Sequence, residues 1–447
     1  MKNFLAHNDE TRKEILNDIS LSSVEDLFSL IPKKARVVDF NLPDALSEMQ
    51  VQKEIKSIAK KNNVDMINFL GAGVYNHFIP ACVGQIAQRF EFLTAYTPYQ
   101  PEISQGSLQI MYEFQSMVCN LTGMDVANAS VYDGATACAE AILMAARITK
   151  REKALVSDAI NPEYKEVIKT YCAAIGIGID WIGLQPSPLA GEGEALAEFT
   201  KLRDSGEGLM EQIKSCEYAC VLIQTPNFYG TIEEMDLGEF LASSKTLLVA
   251  CVDISSLAVL KSPAEYSGGG ADIVVGDIQP LGIPMSFGGP HAGFMACREK
   301  FMRQLPGRIA GRTLDADGEQ AFTLTIQTRE QHIKREKATS NICSNQALVA
   351  LCATLYLSLV GEKGFKQAGI LSSKNAHVLS EKLSAKGIKT LNKDFYNEFV
   401  IEVENSDKFL ADLKSKNIIG GLKLDDKRIL VATTEMNSEE ELELYCN

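Results

Sequence analysis

Gly268-Gly269-Gly270-Ala271-Asp272-Ile273-Val274-Val275-Gly276-Asp277-Ile278-Gln279-Pro280-Leu281-Gly282-Ile283-Pro284-Met285-Ser286-Phe287-Gly288-Gly289-Pro290-His291-Ala292-Gly293-Phe294 reads as a strand, a turn and a returning strand. Ile273 to Val275 is a short apolar run in glycine-rich surroundings, the pattern of a buried strand. The glycines and prolines after it interrupt regular structure, and Gly293 to Ala296 resumes the apolar pattern. Upstream, Leu247 to Val252 is another buried run, and it ends in Asp253. An acid at the carboxyl end of one strand, near the turn of a later one, is how an α/β sheet furnishes a ligand crevice.

Outward from this centre, apolar runs alternate with helical stretches from Lys153 to Ala296. Strands are expected at Ala154 to Ser157, Trp181 to Leu184 and Ala219 to Gln224 as well as at the three runs above. The alternation predicts an α/β fold with a mostly parallel sheet and helices on both faces. An amphipathic helix precedes it at Gly106 to Leu121, Ala127 to Ala137 introduces a second helix that runs to Ile148, and Gln224 to Gly230 forms a loop at a strand end. This plan resembles the large domain of the aspartate-aminotransferase-like enzymes of pyridoxal phosphate fold type I. In those proteins the acid pairs with the pyridine nitrogen, and a lysine just before the glycine-rich turn carries the cofactor as a Schiff base. Here that position holds Gln279, preceded by Ile278 in place of a ring-stacking histidine; Lys261 comes too early and Lys300 too late. A glutamine amide cannot form a Schiff base. The resemblance therefore implies the shell of such a site without its covalent centre.

The flanks divide the 447 residues into three expected domains. Residues 1–70 are a polar helical arm, with a capped start at Ser22-Ser23-Val24-Glu25 and helical spacing from Asp44 to Lys61. Residues 71–345 are the large α/β domain. Residues 346–447 begin with a helix from Gln346 to Leu359 and continue as a small α+β domain. It has a helix to Ala385, strands near Phe399 to Val403 and Ile429 to Ala432, and a helix from Asp407 to Ser415. Leu305 to Ala321 is rich in Gly, Arg and Asp and is expected to be an exposed, mobile loop; Gly191 to Glu194 and Ser205 to Gly208 are also loop-like.

The net charge of −14 argues against a nucleic-acid surface. No apolar run approaches a membrane span, and the first ten residues meet charge too early for a signal peptide. Eleven cysteines without a CxxC pair, the closest being Cys216 and Cys220 at helical spacing, suit small buried side chains in a reducing cytoplasm. Five scattered histidines indicate no metal site.

Two stretches carry polar groups beyond what packing asks for. Phe69-Leu70-Gly71-Ala72-Gly73-Val74-Tyr75-Asn76-His77 has a glycine pair that allows close backbone approach, with Tyr75 and His77 as polar tips. Thr94-Ala95-Tyr96-Thr97-Pro98-Tyr99-Gln100-Pro101-Glu102-Ile103-Ser104-Gln105-Gly106 has prolines that forbid a helix, and offers two tyrosines, a carboxylate, two glutamines and three hydroxyls. A packed turn and an interface loop stand as the plain alternatives to a substrate-facing role. The helix from Gly134 opens with small residues that could cradle a phosphate, but Asp133 places a negative charge there, which favours a plain N-cap.

These two stretches, together with Thr328-Arg329-Glu330-Gln331-His332-Ile333-Lys334-Arg335-Glu336-Lys337-Ala338-Thr339-Ser340-Asn341-Ile342-Cys343, closely resemble the glycine cleavage system P-protein family, glycine dehydrogenase (decarboxylating), EC 1.4.4.2. The likeness runs from about Phe4 to the C-terminus and is greatest to subunit 1 of the split, two-subunit form. It implies a cytoplasmic heterotetramer of two copies each of subunits 1 and 2, with pyridoxal phosphate held covalently by subunit 2. It implies glycine decarboxylation and passage of the aminomethyl group to the lipoyl arm of H-protein. Tyr96, Tyr99, Glu102, Ser104 and Gln105 are then expected to face the substrate, with Tyr75 and His77 nearby. Thr339, Ser340 and Asn341, after a basic run, are expected to meet the cofactor phosphate across the subunit boundary. A purely structural or regulatory partner subunit, and a self-sufficient homodimer with an unexpected lysine, remain as other readings.

Overall fold

The largest sheet among the described residues is built of strands buried on both faces. In this computed structural model, residues 8–37, 41–182, 217–233, 241, 244–266, 268–342 and 344–447 are described. Two compact units are present, Met1–Val64 and Asp65–Asn447. In the first, α1 (Asp9–Asp18) is capped by Asn8 and α2 (Glu48–Ala59) by Ser47, while Ser23 caps the 3-10 turn Val24–Phe28 in a reciprocal capping box with Asp26.

The second unit opens with β1 (Ile67–Asn68), α3 (Ala81–Ala87) and α4 (Gln105–Thr122), followed by β2 (Val126–Ala127) and α5 (Gly134–Thr149). Next come β3 (Lys153–Ser157), α6 (Pro162–Ile175), β4 (Gly178–Ile182), β5 (Cys220–Thr225), β6 (Leu247–Val252), β7 (Ile273–Asp277) and β8 (Gly293–Cys297). The seven-stranded order is β2-β8-β7-β6-β5-β3-β4. From β7 to β4 every pairing is parallel, whereas β8 runs antiparallel to both β7 and β2. Strand alternation sends Val221, Ile223, Leu248, Ala250, Val252 and Val274 to one face and Cys220, Leu222, Leu247, Val249, Cys251, Ile273 and Val275 to the other. The first face packs on Phe114 and Val118 of α4 and on Val349, Ala350, Ala353 and Tyr356; the second packs on α5 and α6. Cys220, expected at helical spacing from Cys216, is a buried strand residue; Cys216 and the loop-like stretches Gly191 to Glu194 and Ser205 to Gly208 lie outside the described residues.

The 305–321 segment departs from the sequence expectation. It contains β9 (Ala310–Leu314), which pairs antiparallel with β10 (Gln320–Leu324). The turn is built by Asp315, whose side chain accepts from the Asp317 and Glu319 amides, with Gly318 at φ +84°. Polar composition hid the hairpin, but the Asp317-Gly318 pair was its signal.

The helix Ala347–Ala385 is broken at Gly361, where φ is +59°. By length and composition it could cross a membrane, contrary to the reading that no run approaches a span, yet its apolar residues 349–356 belong to the core described above. After it, β11 (Lys389–Thr390), β12 (Glu398–Glu402), β13 (Ile418–Ile419), β14 (Leu422–Lys423) and β15 (Arg428–Ala432) appear in turn. The four-stranded antiparallel order is β11-β12-β15-β14. Its core gathers Phe399, Ile401, Ile429 and Val431 with Leu379, Leu383 and Leu442. Residues 65–70 belong with this layer: β1 pairs with β13, and Phe69 exchanges backbone hydrogen bonds with Ile419 and Ala432.

Candidate active site

Strand ends at β5, β6 and β7 and the start of α5 converge on one crevice, as the sheet topology requires. Asp253, after β6, accepts hydrogen bonds from the Ser255 amide at 2.9 Å and from its hydroxyl, and burial holds the carboxyl above its ordinary range. Asp277 ends β7. Its carboxylate accepts from the Gly134 amide (3.2 Å) and the Gln279 amide (2.8 Å), and burial pushes it up to about 6. Asp133 accepts from the Thr136 amide at 2.7 Å. Two of the free amides at the start of α5, which could cradle an anion, are thus taken by carboxylates of this chain. A Cβ at Gly134 would strike the Tyr164 hydroxyl, so the same corner is also packed full.

Gln279 is 1% exposed, and its amide is fully used. The nitrogen donates to the carbonyls of Tyr75 and Ile283, both at 2.9 Å, and the oxygen accepts from the Tyr75 amide at 2.9 Å. What remains is a cavity of about 40 Å³ bordered by Tyr75, Tyr164, Asp253, Asp277 and Glu398. Cofactor-sized sites run to about 300–1,000 Å³, and a few water molecules would fill this one. Among the described residues the crevice does not fit pyridoxal phosphate: they bring it no amine, leave no phosphate cup and leave too little room.

Tyr75 and His77 face inward. The Tyr75 hydroxyl donates to Glu398 at 2.9 Å, and the Ala72 amide donates to the same carboxylate at 2.6 Å. Burial pushes Glu398 up to about 8. Gly71 is required here because a Cβ would collide with Glu398 and Ala432. His77 Nδ1 lies 2.8 Å from Glu435, which also accepts from the Phe78 amide and the Ser372 hydroxyl. Burial pushes Glu435 up, but the His77 ring and the Phe78 amide outweigh it and hold the carboxyl below the usual range. These two residues tie the 71–78 segment to the C-terminal layer.

The 94–105 stretch lies differently. Tyr96 is 68% exposed and stands edge-on to Tyr99, with ring centroids 5.9 Å apart. Glu102 is exposed on the 3-10 turn Pro101–Ile103, and Ser104 precedes α4 without a side-chain capping bond. Gln105 instead braces the fold: it donates to the carbonyls of Pro101 and Phe322 and accepts from the Phe322 amide. Arg308 donates to the Tyr99 hydroxyl and pairs with Glu330. Of these groups, Tyr96, Tyr99 and Glu102 are presented outward.

Thr339, Ser340 and Asn341 border a groove of about 800 Å³ along α5 and α6. Ser340 donates to Glu140 at 2.7 Å, Asn341 accepts from Gln331 at 3.1 Å, and the Thr339 amide binds the Arg329 carbonyl. Arg329 opens the basic run but is 7% exposed; it donates to the carbonyls of Leu305, Gly307 and Ile326, and burial brings it down to about 10. Sequence reasoning missed Tyr164, Asp277, Glu398, Arg308 and Glu330. Nothing in their local pattern sets them apart, although Asp277 lies inside the opening stretch and Glu330 inside the 328–343 motif.

Comparison with known proteins fits this geometry. The family model described as glycine cleavage system P-protein matches residues 2–446. A probable glycine dehydrogenase (decarboxylating) subunit 1 from Desulforamulus reducens is 46% identical, covering 99% of this chain and 98% of its own length. Another from Geobacillus thermodenitrificans is 44% identical, with the same coverages of 99% and 98%. Among solved structures, a glycine decarboxylase (P-protein) of the glycine cleavage system in inhibitor-bound form superposes with a TM-score of 0.87 at 38% identity, over 99% of this chain and 98% of that one. A sphingosine-1-phosphate lyase from Burkholderia pseudomallei shares the fold at a TM-score of 0.62 and 12% identity, over 93% of each chain. The fold is therefore the pyridoxal-phosphate-dependent, aminotransferase-like α/β fold of type I. The chain belongs to the glycine cleavage system P-protein family, as a subunit 1 of glycine dehydrogenase (decarboxylating).

Proposed function

We propose that this chain is the subunit without the Schiff-base lysine in a two-subunit, α2β2 glycine dehydrogenase, inactive alone, cytoplasmic, and working beside a subunit 2 that holds pyridoxal phosphate covalently. The observation that carries the reading is Gln279, whose amide is bonded at both ends where the family's covalent centre would be. The cofactor, on the partner, supplies the electron sink for loss of carbon dioxide from glycine. This chain supplies a wall. Tyr96, Tyr99 and Glu102 stand outward to orient glycine and the lipoyl arm of H-protein and to exclude water. Ser104, with its hydroxyl uncommitted to a cap, is offered with them to the substrate, Gln105 braces the start of α4, and Tyr75 and His77 hold the 71–78 segment. Thr339, Ser340 and Asn341 edge a groove that a partner's phosphate-bearing side could meet.

The test is reconstitution. This chain, a subunit 2 and their mixture are each assayed for glycine–bicarbonate exchange with lipoylated H-protein. Activity is expected only in the mixture. Exchange by this chain alone would sink the reading, and full exchange by subunit 2 alone would reduce this chain to a structural or regulatory partner.

A further inference from the structure

Tyr99 is held from behind by charged groups that have no access to substrate themselves. Arg308 is 2% exposed and Glu330 7%, and their side chains form an ion pair beneath the 94–105 stretch. The Arg308 guanidinium carbon lies 5.1 Å from the Tyr99 ring centroid while its nitrogen donates to the phenol oxygen. His332 closes the ring's edge at 5.9 Å and lies 3.7 Å from Glu330. The turn carrying Arg308 is itself fixed. The Ala129 amide donates to the Arg308 carbonyl at 2.8 Å, Asn128 donates to Pro306 at 3.0 Å, and Arg329 donates to Leu305 and Gly307.

A guanidinium has five donors and no acceptor, and it keeps its charge at any working pH. The bond from Arg308 therefore fills an acceptor position on the Tyr99 oxygen and leaves the phenol proton to be donated elsewhere. Among the described residues none accepts it, and Tyr99 is 38% exposed. The geometry points to a further role: Arg308, held by Glu330, is a positioning residue that fixes Tyr99 as a hydrogen-bond donor toward an anionic oxygen outside this chain, of the class of an amino-acid carboxylate. The inference rests on the reading that Tyr99 faces the reaction. It adds which way the proton points and which buried pair enforces it. Glu330 matters because an unpaired guanidinium at this depth would turn toward other acceptors, such as the carbonyls Arg329 already occupies.

A double-mutant cycle in the reconstituted two-subunit enzyme tests this. Tyr99→Phe, Arg308→Lys and the double variant are compared by kcat/KM for glycine, with thermal unfolding of each chain as the folding control. Each single change is expected to cost roughly tenfold to a hundredfold, the range of a lost hydrogen bond to a charged group. The double variant should be no worse than Tyr99→Phe within about twofold, because Arg308 acts only through that oxygen. Losses that multiply overturn the proposal while leaving Tyr99 in place as a wall residue. A fully active Tyr99→Phe enzyme removes Tyr99 from the wall and the proposal with it. Should Arg308→Lys fail to fold, Glu330→Gln takes its place with the same expectation of no added loss in the Tyr99→Phe background. A second readout needs no activity. In the isolated chain carrying 13Cζ-tyrosine, the resonance abolished by Tyr99→Phe should move on Arg308→Lys, and an unmoved resonance overturns the proposal.

Discussion

The crevice at the strand ends and the 94–105 stretch invert each other. The crevice occupies the place where this fold binds ligands, yet most of its polar groups satisfy one another: Asp133 and Asp277 take the α5 amides, and Gln279 is bonded at both ends. Asn397 on its wall keeps a buried Nδ2 without a partner among the described residues, and about 40 Å³ remains. The 94–105 stretch contributes no residue to the lining of that crevice, but it presents Tyr96, Tyr99 and Glu102 outward over a buried ionic base. A buried polar network that is nearly complete stabilises and specifies structure, and it has little left to give a ligand. Directional groups left facing out, on a rigid support, can still bind. The lesson is that position in the fold and capacity for chemistry have been separated in this chain.

The comparison breaks most readily at Gln279. Gln279→Lys restores the residue type of the cofactor-bearing relatives, but it leaves the Tyr75 amide without an acceptor and buries a charge. It is expected to cost about 3 kcal/mol in denaturant unfolding of the isolated chain and to gain no cofactor adduct. An adduct on that variant would mean the crevice is not sealed.

Next in size is the outward face. Tyr96→Ala and Glu102→Ala are each expected to lower exchange activity of the reconstituted enzyme by roughly tenfold to a hundredfold, with stability of this chain changed by less than about 0.5 kcal/mol. Full activity and intact assembly with both changes would make the stretch a plain interface loop.

The pH dependence of stability sharpens the contrast from the buried side. Burial pushes Glu398 up to about 8, Glu233 to about 7 and Asp277 to about 6. Between the unfolded values near 4 and these folded values, the native chain binds more protons than the unfolded one. Stability is therefore expected to fall as pH rises from 5 to 8, by up to about 1.4 kcal/mol per pH unit for each group that is titrating. Glu398→Gln should flatten the upper part of that fall, and an unchanged slope between pH 7 and 8 would show that Glu398 ionises freely. The smallest effect is at the helix cap: Asp133→Ala is expected to cost about 1 kcal/mol in the same unfolding measurement.

Much of this architecture was legible in the chain. Leu247 to Val252 is strand β6 residue for residue, and both ends of α4 and the end of α5 fall within one residue of those the pattern gave. Periodicity and glycine punctuation carry that information locally. The missing lysine and the capping role of Asp133 were also readable, because each depends on one residue type at one position. The hairpin β9–β10 was not recognised, since its polar strands mask the alternation and only the Asp317-Gly318 turn betrays it. The site's long-range partners were out of reach for a different reason. Glu398 lies 323 residues from Tyr75, Arg308 lies 209 from Tyr99, and Asp277 lies 143 from Gly134. No local window contains such pairs. Gln105 shows the converse: its sequence context invites a substrate role, but the Phe322 backbone of β10 uses both ends of its amide.

The account stands on which polypeptide bears the covalent cofactor. The direct measurement is borohydride reduction of the reconstituted enzyme and of this chain alone with pyridoxal phosphate, followed by peptide mapping of the reduced adduct. The adduct is expected on a lysine of subunit 2 and on no lysine of this chain. A stoichiometric adduct on this chain, with or without its partner, would contradict the account.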